Sequence, residues 1–347
     1  MSRNPGIPIA LGAAVLFGAS TPLAKLALSS ANPLLVAGLL YLGSGIGLFV
    51  VRTIRRGPRT ETPLSRPDLP WLAGAIATGG IVGPALLLLG LMTTSASAAS
   101  LLLNLEAVAT AAIAWIVFHE NVDKRVGAGF AFILLGGVLL SLPPEGGFSL
   151  SAGALLIAAA CLCWGIDNNL TRRISGSDPS QIAMWKGLTA GAVNTGLALA
   201  TDAKLPALVT ILAVAAIGFL GYGVSLVLFV RALRDLGTAR TGAYFSTAPF
   251  AGTALAFAMG EGRLDWAFCA AGVLMLIGLW LHVTERHEHQ HVHEPMEHEH
   301  LHYHDEHHQH EHSPCDPSGE PHAHRHRHAW LRHAHPHYPD IHHRHKH

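Results

Sequence analysis

A carboxylate in the middle of an apolar stretch is the first residue of this chain that can do chemistry. Residues 94 to 120 read TSASAASLLLNLEAVATAAIAWIVFHE, and Glu106 sits almost at the midpoint. About 20 helical residues cross the ~30 Å hydrocarbon core of a bilayer. A charge held there costs roughly 3 kcal/mol or more unless it faces protein or water. A carboxyl at that depth can take a proton from one side and release it to the other, so Glu106 leads the candidates. A Glu that only holds helices together is the plainer reading. Asn104 is near it in sequence, but residues two apart on a helix face different ways. Asp167 and Lys186 form the second constellation. At ~1.5 Å per residue, both fall roughly 6–8 Å from the midplane of adjacent antiparallel spans. That predicts an intramembrane ion pair, or two charges sharing one wet cavity. Trp164, Tyr222 and Tyr244 can line such a cavity with polar-edged aromatic surface, and Asn168 lies beside Asp167. Packing aromatics and interhelical hydrogen bonding are the plainer readings of these four. Lys25, near a span end, reads as a lysine that snorkels to the interface.

The elements that must hold these residues are apolar helices. Up to about Thr284 charges are sparse and Gly, Ala and Leu dominate; beyond it the chain is mostly His, Glu, Arg and Pro. Apolar run follows apolar run, which predicts an all-α membrane protein with a polar tail. Ten transmembrane helices can be drawn, at 7–29, 32–52, 69–91, 94–118, 125–142, 151–173, 179–201, 206–230, 238–259 and 264–283. If they alternate, Arg52, Arg55, Arg56, Arg59, Arg66, Lys124, Arg125, Arg172, Arg173, Arg231, Arg234 and Arg240 fall on one side. By the positive-inside rule that side is cytoplasmic, and so are both termini. Pairs such as Gly43/Gly47 and Gly187/Gly191 read as helix contacts.

The chain repeats itself. Phe17-Gly18-Ala19-Ser20-Thr21-Pro22-Leu23-Ala24-Lys25 matches Trp164-Gly165-Ile166-Asp167-Asn168-Asn169-Leu170-Thr171-Arg172, and Phe118-His119-Glu120 matches Met259-Gly260-Glu261. Five spans per half is an odd number, so the second copy enters the membrane inverted, a build common among secondary transporters. The predicted units are 1–143 and 144–284, two inverted five-helix repeats, and a disordered His-rich tail, 285–347. The aromatic-Gly start ending in Pro-Leu-Ala-Lys, the core Leu105-Glu106-Ala107-Val108, and the span ends Glu120 and Glu261 resemble the EamA-type proteins of the drug/metabolite transporter superfamily. The resemblance implies a permease, often an exporter of amino acids, metabolites or drugs, with a central cavity between two bundles. The family usually places Pro after the Glu of the fourth span; here that residue is Ala107.

The tail alternates His with acid at His287, His289, His291, His293, His298, His300, His302 and His304, and His with base from His324 to His328. It is too polar to bury a core. Clustered imidazoles bind divalent transition metals such as Zn²⁺, Ni²⁺ or Co²⁺, and the absence of a fixed tetrahedral set predicts weak, exchangeable sites. The Lys and Arg residues equal the Asp and Glu residues, 23 against 23, so net charge indicates no nucleic-acid partner. No phosphate loop is present, and nothing points to an enzyme or to a required cofactor.

The leading expectation is a secondary-active exporter of a small metabolite or drug-like solute, proton-coupled, in the cell (inner) membrane. The alternatives are a divalent metal permease whose tail collects or senses its ion, and a non-transporting membrane metal buffer. Substrate, direction and oligomeric state stay open at this stage.

Overall fold

The computed structural model describes residues 6–54, 62–118, 124–142, 151–174, 176–236, 241, 244–262, 264–283, 288–293, 297–302, 322–327 and 331–336. Glu120, His287 and His304 lie outside these residues. The chain divides into two units, Met1–Glu285 and Arg286–His347.

Every regular element among the described residues of the first unit is a helix. Its helices are α1 (Gly6–Ala27), α2 (Pro33–Ile54), α3 (Leu69–Ala75), α4 (Gly83–Leu91), α5 (Ala96–Leu102), α6 (Leu105–Phe118), α7 (Lys124–Ser141), α8 (Ala152–Arg173), α9 (Pro179–Ala200), α10 (Leu208–Gly218), α11 (Ser225–Leu236), α12 (Ala248–Ala258) and α13 (Trp266–Val283). Among the described residues, six stretches are long and apolar enough to cross a membrane: Gly6–Ala27, Pro33–Ile54, Arg66–Leu91, Ala96–Val117, Ala152–Arg173 and Leu208–Phe229. Shorter apolar helices cover Gly127–Ser141, Ala248–Ala258 and Trp266–Leu281. Helix α9 has the length, 22 residues, but carries Gln181, Lys186, Thr189 and Asn194. Large apolar side chains on the outside, among them Trp115, Ile116, Val209 and Trp266, are more than half exposed, as lipid-facing residues are;.

Several of these stretches are not plain α-helices. Between α3 and α4 lies a π-helical segment, Ile76–Val82, and between α10 and α11 lies another, Phe219–Val224. Both are rich in glycine, which lets the backbone widen and lets neighbours come close. A third interruption separates α5 from α6 at Leu103 and Asn104. There the Glu106 amide bonds back only three residues, to the Leu103 carbonyl at 3.1 Å, and the Asn104 amide group caps the Leu101 carbonyl at 2.9 Å. So the helix is broken although position 107 is Ala.

Packing is tightest where glycines meet. Helices α2 and α9 touch backbone to backbone: a Cβ on Gly187 would come 2.5 Å from the Gly45 amide nitrogen, and one on Gly191 would come 2.5 Å from that of Leu42. Without a hydrophobic drive between helices in lipid, this close approach supplies dispersion contact instead. Helix α8 lies against α6 and α4, and α1 against α12 and α11. Cys161 is buried, Cys163 half-buried and Cys269 exposed. Lys25 does not snorkel: its ammonium donates to the Thr94 carbonyl at 2.5 Å and lies 3.8 Å from the Glu261 carboxylate, tying three span ends together.

In the second unit, where composition predicted a structureless tail, four strands are paired. These are β1 (Glu288–His293), β2 (Glu297–His302), β3 (His322–Arg327) and β4 (Leu331–Pro336), with β1 antiparallel to β4 and β2 antiparallel to β3. The register sets Glu297 opposite Arg327 and Glu299 opposite Arg325.

Candidate functional site

The break before α6 places Glu106 in the first turn of that helix. The amide dipoles at a helix N-terminus favour negative charge, so the break offsets part of the cost of holding a carboxylate among apolar helices. Glu106 Oε1 accepts a hydrogen bond from Asn168 Nδ2 at 2.9 Å, and the same amide group donates to Thr110 Oγ1 at 3.1 Å. One turn of α8 is thereby clasped to the first turns of α6. Asn169 completes the clasp by donating to the Thr110 carbonyl at 2.9 Å. The helices approach closely enough because position 165 is Gly, where a Cβ would lie 2.9 Å from Ala109. No hydrogen bond reaches Glu106 Oε2 among the described residues. Glu106 is half-buried and Asn168 exposed, whereas Cys161, Trp164 and Asp167 on the same helix are buried. Yet the neighbours of Glu106 come from several helices: Asp167, Lys186, Tyr41 and Tyr222 all lie within its electrostatic reach.

Asp167 and Lys186 are paired. The ammonium lies 2.6 Å from each carboxylate oxygen, and Thr171 Oγ1 donates to Oδ1 at 2.8 Å. Both side chains are largely withdrawn from solvent, 12% exposed for Lys186 and 7% for Asp167. The pair fits only because Gly79 lacks a side chain, since a Cβ there would land on the Asp167 carboxyl.

The π-helical turn explains the rest of the lattice. Its wide turns leave carbonyls short of an in-helix partner. Gly79 O accepts from Tyr41 Oη at 2.7 Å and from Trp164 Nε1 at 2.9 Å, while Gly80 O accepts from Asn194 Nδ2 at 3.1 Å. Trp164 is therefore a buried positioning residue, more than a cavity wall. Asn104 turns away from Glu106, toward the Leu101 carbonyl and Met275 Sδ.

Aromatic rings form a connected run through the bundle. Tyr41 packs on Tyr222 at 5.3 Å between centroids, Tyr222 on Phe17 at 5.8 Å, Phe17 on Phe245 at 5.4 Å, and Phe245 on Phe229 at 4.7 Å. Phe245, not Tyr244, joins this run; Tyr244 instead offers its carbonyl to Thr247. Sequence reasoning missed Tyr41 and Thr110, and reads Gly79, with Gly83, as a helix contact only;. Only the Gly79-Gly80 doublet carried a signal, as a place where backbones can meet closely.

Among the described residues, no group of His, Cys, Asp and Glu is gathered to hold a metal ion. The tail histidines His289, His291, His293, His298, His300 and His302 lie on strands. The register sets His298 opposite His326, His300 opposite His324, and His302 opposite His322. It also sets His289 opposite His335 and His291 opposite His333.

Apolar helices packed around an embedded ion pair are a build found among membrane transporters;. This chain belongs to the EamA-like transporter family, which matches it over residues 4–142 and 151–284. It is therefore a multi-pass membrane protein of the drug/metabolite transporter type. It is 28% identical over 300 residues to an "Uncharacterized transporter" of Methanothermobacter thermautotrophicus, covering 81% of this chain and 87% of that one. It is 24% identical over 279 residues to the "Uncharacterized transporter YyaM" of Bacillus subtilis, covering 78% and 90%. A solved structure described only as "Crystal structure of protein" shares the fold at TM-score 0.59 and 20% identity, over 81% of this chain and 96% of that one.

Proposed function

We propose that this transporter is a secondary-active exporter of a small metabolite or drug-like solute, coupled to protons, with Glu106 as the group that takes up both. One observation carries the reading: a half-buried carboxyl in the first turn of α6, with one oxygen held by Asn168 of α8 and the other without a hydrogen bond among the described residues. A carboxyl so placed exchanges a proton with whichever side its cavity opens to, which is what coupling requires. The reading takes the membrane unit as ten helices in two inverted repeats, 1–143 and 144–284, in the inner membrane with both termini cytoplasmic. Support comes from the interrupted spans at matching places: π-helical segments at Ile76–Val82 and Phe219–Val224, and helix starts at Leu105 and Ala248. The test is pH-gradient-driven movement of a broad solute panel into proteoliposomes. Wild type moves at least one solute and Glu106→Gln loses the gradient dependence; unchanged gradient-driven transport in Glu106→Gln removes this residue from the mechanism.

The tail supports a second, separate activity, the binding of Zn²⁺, Ni²⁺ or Co²⁺. The register pairs histidine positions across the strands, and neutral imidazole is a good ligand for these ions;. A role of the membrane unit as a metal permease gains nothing from the described residues, which gather no ligand set between the helices.

A further inference from the structure

Two bodies within the membrane unit are each packed backbone to backbone. Helix α1 meets α12 at Gly18 and Gly252: a Cβ on Gly252 would lie 2.5 Å from the Gly18 carbonyl oxygen, and one on Gly18 would lie 3.0 Å from the Gly252 amide nitrogen. Helix α4 meets α8 in the same way, since a Cβ on Gly90 would lie 2.7 Å from the Gly153 carbonyl oxygen. Contacts this close make each pair of helices move as one piece. The corner at 94–97, between α4 and α5, goes with the second body, because a Cβ on Gly153 would land on the Thr93 and Thr94 hydroxyls.

Where the first body meets that corner, the ties are polar and weak. Lys25 Nζ, on α1, donates to the Thr94 carbonyl at 2.5 Å. The Ser97 amide donates to the Glu261 carbonyl at 3.3 Å, and Thr253 Oγ1, on α12, donates to the Ser97 carbonyl at 3.4 Å. Glu261 is aimed there by the end of its own helix. Gly260 turns the chain at φ 76°, the Gly260 amide bonds back to the Phe257 carbonyl at 3.0 Å, and the Glu261 amide bonds back to the Ala256 carbonyl at 2.9 Å;. The cap leaves the Glu261 carboxylate 3.8 Å from Lys25 Nζ, so the ammonium has a second partner on its own body. Small residues line the seam: a Cβ on Gly252 would lie 3.0 Å from Ser100 Oγ, and one on Gly262 would lie 2.7 Å from Ser97 Oγ. Ser100 is 1% exposed, and its hydroxyl has no hydrogen-bond partner among the described residues. Burial follows the seam. All of α5 except Ala98 is buried, whereas Glu106 and Thr110, beyond the break, are half-buried.

We propose that Lys25, Thr94, Ser97, Thr253 and Glu261 are the gate of this transporter at the end of the bundle where α1 and α12 finish. The seam is shut in this structure. It parts in the transport cycle as Lys25 leaves the Thr94 carbonyl and stays with Glu261, which travels on the same body. A gate is needed whichever solute is carried, so this goes beyond the proton-coupled reading and is tested without it.

The test is the rate at which Ser100→Cys, beneath the seam, reacts with a small charged methanethiosulfonate. It uses full-length protein with the native cysteines replaced by serine, in lipid nanodiscs, where both ends of the bundle meet the probe. Lys25→Met should speed the reaction at least about threefold, because the shut state loses its shortest tie across the seam. Lys25→Arg can still donate to the Thr94 carbonyl and should stay within about twofold of the native rate. Thr253→Val removes a tie without removing a charge and should speed the reaction about twofold. The companion position is Asn168→Cys, on α8 beyond the break, whose reaction Lys25→Met should not speed. Size-exclusion profiles identify a variant that fails to fold, and Thr253→Val carries the comparison if Lys25→Met does. No reaction at position 100 in any variant, or a rate there unchanged by the variant that carries the comparison, overturns the proposal. So does an equal rise at positions 100 and 168, which a generally loosened fold would produce.

Discussion

Replacing Lys186 with Met isolates what the membrane-embedded ion pair is worth. In the native chain the ammonium donates to both oxygens of Asp167 at 2.6 Å, and both side chains are nearly dry. Removing the lysine leaves a carboxylate with Thr171 as its remaining described side-chain donor, at 2.8 Å. Breaking a buried pair by deleting one partner typically costs about 3–5 kcal/mol. Because Thr171 stays in place, the lower end is expected, about 3 kcal/mol, or roughly a hundredfold in the ratio of folded to unfolded protein. Adding Asp167→Asn removes the second charge, and the double variant should return to within about 1.5 kcal/mol of wild type, since neutral replacement of a buried pair is often close to balanced. Equilibrium unfolding of detergent-solubilised protein, followed by tryptophan fluorescence, measures all of these variants. A Lys186→Met protein within about 1 kcal/mol of wild type, or a double variant that costs the sum of the singles, would refute the reasoning.

Three further outcomes follow from particular contacts. Gly79→Ala puts a methyl onto the Asp167 carboxyl, and should destabilise the protein by about 1–3 kcal/mol in the same unfolding assay. Lys25→Met removes an ion pair whose side chains are 21% and 39% exposed; it should shift stability by less than about 1 kcal/mol, with a salt dependence that vanishes in the variant. In the tail, His300 and His324 face one another across β2 and β3. Zn²⁺ titration of full-length protein should show that His300→Ala and His324→Ala together weaken binding by less than the sum of the single effects, whereas His300→Ala with His333→Ala should be additive.

How much of this was legible in the sequence depends on what kind of signal a residue gives. Glu106, Asp167 and Lys186 stood out because a charge inside an apolar run is costly, and depth along two helices was enough to match the last two. The family, too, was readable from the Gly-to-Lys motif and its duplicate. Tyr41 was not, because a tyrosine in a glycine-rich span looks the same whether it meets headgroups or a buried carbonyl. Its role depends on Gly79, whose carbonyl is free only because the helix widens there. The break at Leu103 and Asn104 was hidden for a related reason. Proline is the usual mark of such a break, and here a side-chain cap from Asn104 does that work;. In the tail, strand register does not depend on an apolar core, and composition does not report register.

The account stands on Asn168 and Glu106 lining a space that water reaches from within the bundle. The direct measurement is thiol labelling of Asn168→Cys, in a background with the native cysteines replaced by serine, using a small charged methanethiosulfonate that does not enter lipid. Leu162→Cys is the comparison, because Leu162 is 51% exposed on another face of the same helix. The account predicts that Cys at 168 reacts and Cys at 162 does not. Reaction of neither, with both modified by a lipid-soluble maleimide, would place the Glu106 carboxyl against hydrocarbon and contradict it.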